Sequence, residues 1–322
     1  MKKQLITLAI LLCTSLSVWA QKEYKLAKNT GKLILNLNGA TIEGYDGKEI
    51  VFIDEKAKNE VEDERARGLR AISGSGIIDN TGLGINVTES GQDVKVNLVG
   101  NGREDNIFKI LVPSQMDISF AYENAMFGRP ITIQDMKGEI EVSVRYNEIK
   151  LVNNSGPMNI KSMHGGIDAS FEEPIKGPIS MISVYNHVDV SLPTTTKANV
   201  ELGTSYGKLY AADDFKIAVL PEDKAAKEKN ATNAVAISGS GTYSNTSRAL
   251  TVINRKVNNS DSTNTASAPI TVVNGEIVNL KDNPYFTIIK TGDNIKGTIN
   301  GGGLDLILKS NHNNVYLRTP KN

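Results

Sequence analysis

The sequence predicts an all-β protein, a single-domain parallel β-solenoid with two-strand rungs of about 18–21 residues. Three observations support this prediction: apolar and polar residues alternate along short segments, the segments recur at a nearly constant spacing, and a Gly or Asn precedes almost every segment. Alternation with a period of two is typical of strands that bury one face. Recurrence at a constant spacing is typical of stacked supersecondary units.

The recurring segments form two interleaved rows between residues 138 and 213. In each row, the first apolar residues of successive segments are 18, 21 and 21 residues apart. These residues are Ile140, Met158, Ile179 and Val200 in the first row, and Ile149, Ile167, Val188 and Leu209 in the second. We therefore expect two columns of parallel strands, with Val200 beside Ile179. An antiparallel meander is the alternative, because alternation alone does not give strand direction.

Small or turn-forming residues occupy the position two before each first apolar residue. Seven of these eight residues are Gly or Asn, and the eighth is Ala198. Gly and Asn tolerate a positive φ, so the pattern predicts left-handed backbone at tight corners. Residues 302–308 and 313–317 repeat the same pattern and are expected to form further strands.

The first twenty residues predict an export signal. Lys2 and Lys3 precede an apolar run, and the run ends at the small-residue cleavage site Val18-Trp19-Ala20. Cleavage would remove the only Cys and the only Trp, so the mature protein is expected to have no disulfide.

Residues 21–322 are expected to form one domain, with three interruptions. Residues 54–70 and 221–233 are charged excursions, and residues 258–268 form a polar loop of low complexity. Each charged excursion precedes a copy of the text AISGSG, which favours an internal duplication.

The charge balance argues against two classes of partner. Without Lys2 and Lys3, 34 basic residues stand against 36 acidic ones, and they form no polybasic block. Nucleic acid and anionic membrane surfaces are therefore not expected as partners. After signal cleavage, no segment is apolar for long enough to predict an integral membrane span.

Three stretches resemble the bacterial putative-adhesin domain family. They are GKLILNLNGATIEGYDGKEIVF at 31–52, the repeats GEIEVSV, GPMNIKS and GGIDASF, and INGGGLDLILKSNHNNVYLRT at 299–319. The resemblance implies an exported, adhesin-like β-solenoid. Because the shared motifs are structural, it implies a fold and a secretory address rather than an activity.

The sequence predicts no enzymatic activity, no cofactor and no metal site. The histidines form no metal-binding pair, and no Cys remains after cleavage. The adjacent carboxylates at 172–173 and 213–214 are expected at solvated corners, because strand neighbours point to opposite faces.

Enzymes that cut polysaccharides on a β-helix are the catalytic alternative. Asp79-Asn80-Thr81 and His164-Gly165-Gly166 faintly resemble their signature segments. At about 4.8 Å per rung, however, Asp79 and His164 would lie too far apart to act on one bond.

Four aromatic residues share the spacing of the predicted core columns and are the candidate ligand-binding residues: Tyr146, His164, Tyr185 and Tyr206. Stacked rungs would place their rings about 4.8 Å apart, as a strip on which sugars or an aromatic ligand could lie. The structural alternative is a partly buried stack whose hydroxyls bond nearby backbone groups.

These observations favour a noncatalytic exported protein that binds or organises components of the cell envelope or cell surface. A carbohydrate-binding module, or a polysaccharide-active enzyme on a β-helix scaffold, is the alternative. The expected location is the periplasm, the cell surface or the extracellular space, and the expected partner is an envelope or surface protein or glycan.

Overall fold

The computed structural model describes residues 22–55, 64–100, 108–123, 128–220 and 292–320, and the backbone of three short strands between 250 and 279. The chain divides into two compact units, Met1–Leu220 with Thr291–Asn322, and Pro221–Lys290. The predicted signal, the excursion at 221–233, the second AISGSG copy and the loop at 258–268 lie outside the described residues. The single-domain organisation stays a prediction.

The regular secondary structure of the described residues is almost entirely β, which confirms the predicted all-β class. Short 3-10 turns occur at Glu64–Ala66 and Asp213–Phe215. The strands of the first unit are β1 (Glu23–Leu26), β2 (Lys32–Asn36), β3 (Ala40–Tyr45), β4 (Ile50–Asp54), β5 (Ile85–Ser90), β6 (Asp93–Leu98), β7 (Phe108–Pro113), β8 (Asp117–Tyr122), β9 (Ile131–Gln134), β10 (Ile140–Val144), β11 (Ile149–Val152), β12 (Met158–Ser162), β13 (Ile167–Ser170), β14 (Ile179–Ser183), β15 (Val188–Ser191), β16 (Ala198–Thr204), β17 (Leu209–Ala211), β18 (Ala218–Val219), β22 (Asp293–Ile299), β23 (Leu304–Ser310) and β24 (Val315–Arg318). In the second unit, β19 (Leu250–Thr251), β20 (Ile270–Val273) and β21 (Glu276–Asn279) form an antiparallel sheet. Within the described residues, no helix has the length and apolar character needed to cross a membrane.

Two large mixed sheets contain all strands of the first unit. The 10-stranded sheet has the order β1-β4-β7-β3-β9-β11-β13-β15-β24-β17, and the 11-stranded sheet has the order β18-β22-β16-β23-β14-β12-β10-β8-β2-β6-β5. The middle of each sheet is parallel. Antiparallel pairs lie towards the ends, among β1, β4 and β7, between β5 and β6, and among β16, β22 and β18.

The predicted register is present in the parallel part of both sheets. Ile140 lies opposite Met158, and Met158 lies opposite Ile179, in parallel strands of the 11-stranded sheet. Ile149, Ile167 and Val188 are aligned in the same way in the 10-stranded sheet. Each strand therefore pairs with the equivalent strand of the next repeat, and the antiparallel meander is wrong for this region.

The C-terminal strands occupy a place that the repeat spacing does not predict. β23 lies between β14 and β16, so that Leu306 faces Ile179 on one side and Val200 on the other. In the other sheet, β24 lies between β15 and β17. The expectation that Val200 lies beside Ile179 is therefore wrong. Strands pair where their side-chain patterns match. β23 and β24 match the patterns of β14 and β15, although they lie near the C-terminal end of the sequence.

Alternation with a period of two makes the first apolar residue of each segment and the residue two positions later the inward ones, and most of these residues lie in the core of the first unit. On β10 to β16 they are all buried, including Ile160 and Met181, which are fully buried. The exceptions are on β17, where Leu209 is half-buried and Ala211 is exposed. Among the described strands β17 is the last of its sheet, so its side chains have a described neighbouring strand on one side only.

The corner glycines serve a different purpose from the one predicted. None of the eight corner residues has a positive φ. Instead, a Cβ at Gly138 would overlap the carbonyl of Met116, and a Cβ at Gly165 would overlap the carbonyl of Asn147. Successive corners approach so closely that a side chain at these positions has no room, and this explains the glycines.

Candidate functional site

Five aromatic rings form a continuous stack at one corner of the first unit, which we call the corner ladder. In spatial order the rings belong to Tyr146, His164, Tyr185, His312 and Tyr206. Neighbouring ring centroids are 4.4, 4.6, 4.8 and 4.9 Å apart, and neighbouring planes are tilted by 8° to 16°. The four predicted residues therefore share one stack, and His312 lies between Tyr185 and Tyr206.

A buried hydroxyl lies two residues before four of the five rings and fixes the conformation of those corners, whereas Val144 occupies this position before Tyr146. The Ser183 hydroxyl accepts a hydrogen bond from the Asn186 amide at 3.1 Å and donates to the Gly165 carbonyl of the preceding corner at 2.9 Å. Ser310 and Thr204 make the equivalent pair of bonds at their own corners. Each corner is thereby joined to its neighbour, which holds successive rings in register.

The rings of the corner ladder are open to solvent. Tyr146, Tyr185 and Tyr206 are 43%, 48% and 73% exposed, His312 is exposed and His164 is half-buried. Within the described part of the chain, the three tyrosine hydroxyls make no hydrogen bonds. The corner ladder is thus neither buried nor tied to the backbone through its hydroxyls.

Stacking determines which part of each ring a ligand can reach. The faces of the three middle rings are covered by their neighbours, so these rings present only their edges. Those edges carry tyrosine hydroxyls and imidazole nitrogens, which donate and accept hydrogen bonds. The corner ladder therefore offers a row of polar ring edges rather than a flat aromatic floor.

The sequence contained a signal for His312. His312 follows Leu306 by six residues, as Tyr185 follows Ile179, and Ser310 matches Ser183 between them. The match places His312 in the corner ladder only because β23 pairs with β14.

The residues that resemble the polysaccharide-cutting enzymes do not come together. The Asp79 carboxylate accepts hydrogen bonds from the amides of Thr81, Gly82 and Gly84 at 2.8 to 2.9 Å, and so shapes the loop before β5. Four strands separate β5 from β12, which precedes His164, and this corresponds to about 24 Å. The carboxylate pairs at 172–173 and 213–214 are exposed.

One histidine–carboxylate pair, which the sequence did not predict, lies beside the corner ladder. His187 Nε2 is 3.1 Å from the Asp168 carboxylate, and its Nδ1 is 2.9 Å from the side-chain oxygen of Asn186. Both partners act as acceptors, because the Asn186 amide nitrogen donates to the His164 carbonyl. The hydrogen bond to Asp168 raises the pKa of His187, and both ring nitrogens are engaged by side chains of the protein.

Potential metal ligands are not clustered in the described ranges. No group of three or more His, Cys, Asp or Glu side chains there is arranged to hold a metal ion.

Known proteins offer little direct comparison. No protein-family model matches the chain, and no curated protein matches it. The crystal structure of a putative cell adhesion protein from Clostridium sporogenes ATCC 15579 is similar over 94% of this chain and 100% of that chain, with 10% identity and a TM-score of 0.39. A likeness at this level carries no functional argument, and the resemblance to an adhesin-domain family stays a prediction.

Proposed function

We propose that this chain is a noncatalytic exported β-solenoid protein that binds a component of the cell envelope or cell surface through the corner ladder. Strand order supports the two-strand rung. From β8 to β17, successive strands alternate between the two large sheets, and the first eight of them each pair in parallel with an equivalent strand of a neighbouring repeat.

The exposed corner ladder is the observation that carries this proposal. A stack that served stability alone would gain from burying its rings, whereas Tyr185 leaves almost half of its surface in water. The ring centroids repeat at 4.4 to 4.9 Å along the stack. An extended partner with regularly spaced polar groups, such as a glycan chain or a peptide strand, suits such a row.

The arrangement of the titratable groups supports a noncatalytic role. Asp79 is engaged by its own loop, and both nitrogens of His187 are held by acceptors. The imidazoles of His164 and His312 lie between tyrosine rings, with no carboxylate bonded to either one within the described residues. We place the protein in the periplasm, on the cell surface or outside the cell, on the strength of the predicted signal.

Binding to isolated cell envelopes tests the proposal. The mature chain should sediment with envelopes, and Tyr185→Ala should weaken this association about tenfold, because two stacked neighbours lose their alignment. Lys150→Ala is the matched control, since Lys150 is exposed on the outer face of β11 and contributes no ring to the corner ladder. Equal binding of all three proteins, or no binding by the wild type, would contradict the proposal.

A glycan array with the same three proteins separates the alternative. Specific glycan binding that Tyr185→Ala abolishes would assign a carbohydrate-binding module. Envelope binding without any glycan signal would point to a protein partner.

A further inference from the structure

The edge of β17 that faces away from β24 is unpaired among the described strands. β17 pairs with β24 alone and ends the described 10-stranded sheet. The Ala212 amide donates a hydrogen bond to the Leu317 carbonyl of β24 at 2.8 Å. Because alternate residues of a strand bond to the same neighbour, the amides and carbonyls of Leu209 and Ala211 point away from β24.

The 11-stranded sheet extends past this edge. β16 precedes β17 in the chain and contacts it, and beyond β16 its sheet continues with β22 and β18. Core-facing side chains at this step are open to water: Val219 on β18 is 61% exposed, and Leu209 on β17 and Ile295 on β22 are half-buried. One strand added beside β17 would cover them. A second copy paired through β17 would not fit, because its own 11-stranded sheet would occupy the place of β22 and β18.

A different sheet edge of this chain is closed by a side chain. β5 ends the 11-stranded sheet on the opposite side. There the Asn80 side chain accepts a hydrogen bond from the Val87 amide at 2.9 Å and donates one to the Val87 carbonyl at 2.7 Å. Proteins commonly block sheet edges, because unpaired backbone groups attract other strands. In the part of the chain that the structure describes, no side chain closes the edge at Leu209 and Ala211 in this way.

Charged side chains of opposite sign lie at the two ends of this edge. Lys208 precedes β17, Asp213 and Asp214 follow it, and all three are exposed. An added strand with a basic residue near the two carboxylates and an acidic residue near Lys208 would meet opposite charge at both ends. Antiparallel pairing suits this edge, because Leu209 and Ala211 could each exchange both backbone hydrogen bonds with one residue of the added strand.

We propose that the β17 edge is a docking site for an extended peptide segment of a partner protein, which joins the 10-stranded sheet as an antiparallel strand. The backbone of Leu209 and Ala211 supplies the hydrogen bonds, and alternate apolar side chains of the peptide cover Ile295 and Val219. The segment carries a basic residue before its apolar positions and an acidic residue after them. This site uses backbone groups and is independent of the rings of the corner ladder.

A labelled heptapeptide, Thr-Lys-Val-Thr-Val-Glu-Thr, tests docking by fluorescence anisotropy with the mature chain. In the antiparallel register both valine amides face β17, whereas the amides of the central threonine and the glutamate face solvent. N-methylation of the two valines should therefore weaken binding about tenfold, and N-methylation of the threonine and the glutamate should change it by less than about twofold. Exchange of the lysine and the glutamate should weaken binding about threefold.

Hydrogen exchange at single-residue resolution tests the edge in the protein itself. In the free chain the amides of Leu209 and Ala211 should exchange fast, while the amide of Ala212, which is bonded to β24, should exchange slowly. The peptide should protect the first two. Ala211→Pro removes one edge donor at a position where an edge strand tolerates proline, so it should weaken peptide binding about tenfold, whereas Ala211→Ser should bind as the wild type does.

The proposal is overturned if the wild type does not bind the heptapeptide, if methylation of the valines leaves the affinity unchanged, or if the peptide with exchanged charges binds as tightly. Protection of Leu209 and Ala211 in the free chain, which pairing of β17 with any other strand would give, also overturns it. Tyr185→Ala should bind the heptapeptide normally, so this site and the corner ladder fail independently. Far-ultraviolet circular dichroism should show the same β-structure for every variant.

Discussion

At the scale of single residues, the buried corner hydroxyls connect the core to the candidate site. Ser162, Ser183, Ser310 and Thr204 are all buried, and each accepts the amide proton of the residue three positions later. Three of them also donate to a carbonyl of the neighbouring corner. A residue that stabilises the corner therefore also determines where the exposed ring beside it is placed.

Replacement of one of these hydroxyls should be costly. Ser183→Ala leaves the Gly165 carbonyl and the Asn186 amide without their partner in a buried position, so we expect the free energy of unfolding to fall by about 2 kcal/mol. Urea denaturation measures this change. Ser180→Ala, on the outer face of the same strand, should lower it by less than about 0.5 kcal/mol. Equal losses for the two variants would refute the assignment of the strand faces.

The His187–Asp168 pair predicts a dependence of stability on pH. The pKa of His187 is raised in the folded protein, chiefly by the hydrogen bond to Asp168, so the pair stabilises the fold fully below the unfolded value of about 6.5. This contribution is lost as the pH rises through the folded pKa. Asp168→Asn should therefore destabilise the protein at pH 5.5 by more than at pH 9.

The size of this effect should be small, because both side chains are partly exposed. We expect the destabilisation at pH 5.5 to be about 0.5 kcal/mol. Thermal unfolding at the two pH values provides the measurement. A larger loss at pH 9 than at pH 5.5 would show that the imidazolium is not the stabilising species.

The sequence predicted which residues lie in the corner ladder better than it predicted why the corners form. The spacing of Tyr146, His164 and Tyr185 follows directly from the strand repeat, and that repeat is visible in the apolar pattern. Gly165 is required by a close approach to Asn147 and not by a positive φ, and such an approach between two corners is not visible in a local sequence pattern. The rings of Tyr210 on β17 and Tyr316 on β24 stack with centroids 5.2 Å apart, but these residues are 106 positions apart in the sequence, so no local pattern predicts the contact.

At the scale of strands, the insertion of β23 and β24 is the main departure from the expected order. The repeat spacing indicates how neighbouring segments pair, but it does not exclude a strand from elsewhere with the same pattern. Leu306 and Leu308 match Ile179 and Met181, and Ser310 matches Ser183, so β23 continues both the core and the corner. The insertion also brings His312 into the corner ladder.

Engineered disulfides should detect this insertion. Ser180 lies opposite Ile307, and Ile307 lies opposite Glu201. Adjacent strands are about 4.8 Å apart and can be bridged, whereas strands two positions apart, at about 10 Å, cannot. We therefore expect Ser180→Cys/Ile307→Cys to form a disulfide and Ser180→Cys/Glu201→Cys to remain reduced. A gel-mobility assay under nonreducing conditions distinguishes them, and the opposite result would place β14 directly beside β16.

At the scale of the first unit, the buried core and the exposed corner ladder are made of different residues. The core consists of inward apolar columns from the two large sheets, while five corners along one side carry the exposed rings of the corner ladder. Tyr and His occur there instead of the smaller polar residues typical of exposed corners. The presence of Tyr and His at these corners supports the proposal that the corner ladder contacts another molecule.

Site-specific photocrosslinking in intact cells tests the central claim, that the corner ladder is the contact surface. A photoreactive phenylalanine analogue at Tyr185 keeps an aromatic ring in the stack, and the same analogue at Lys150 probes the outer face of β11. We expect a discrete crosslinked species from position 185, lost in competition with excess unlabelled wild-type protein, and none from position 150. Crosslinking of equal strength and identity from both positions, or from position 150 alone, would contradict the claim.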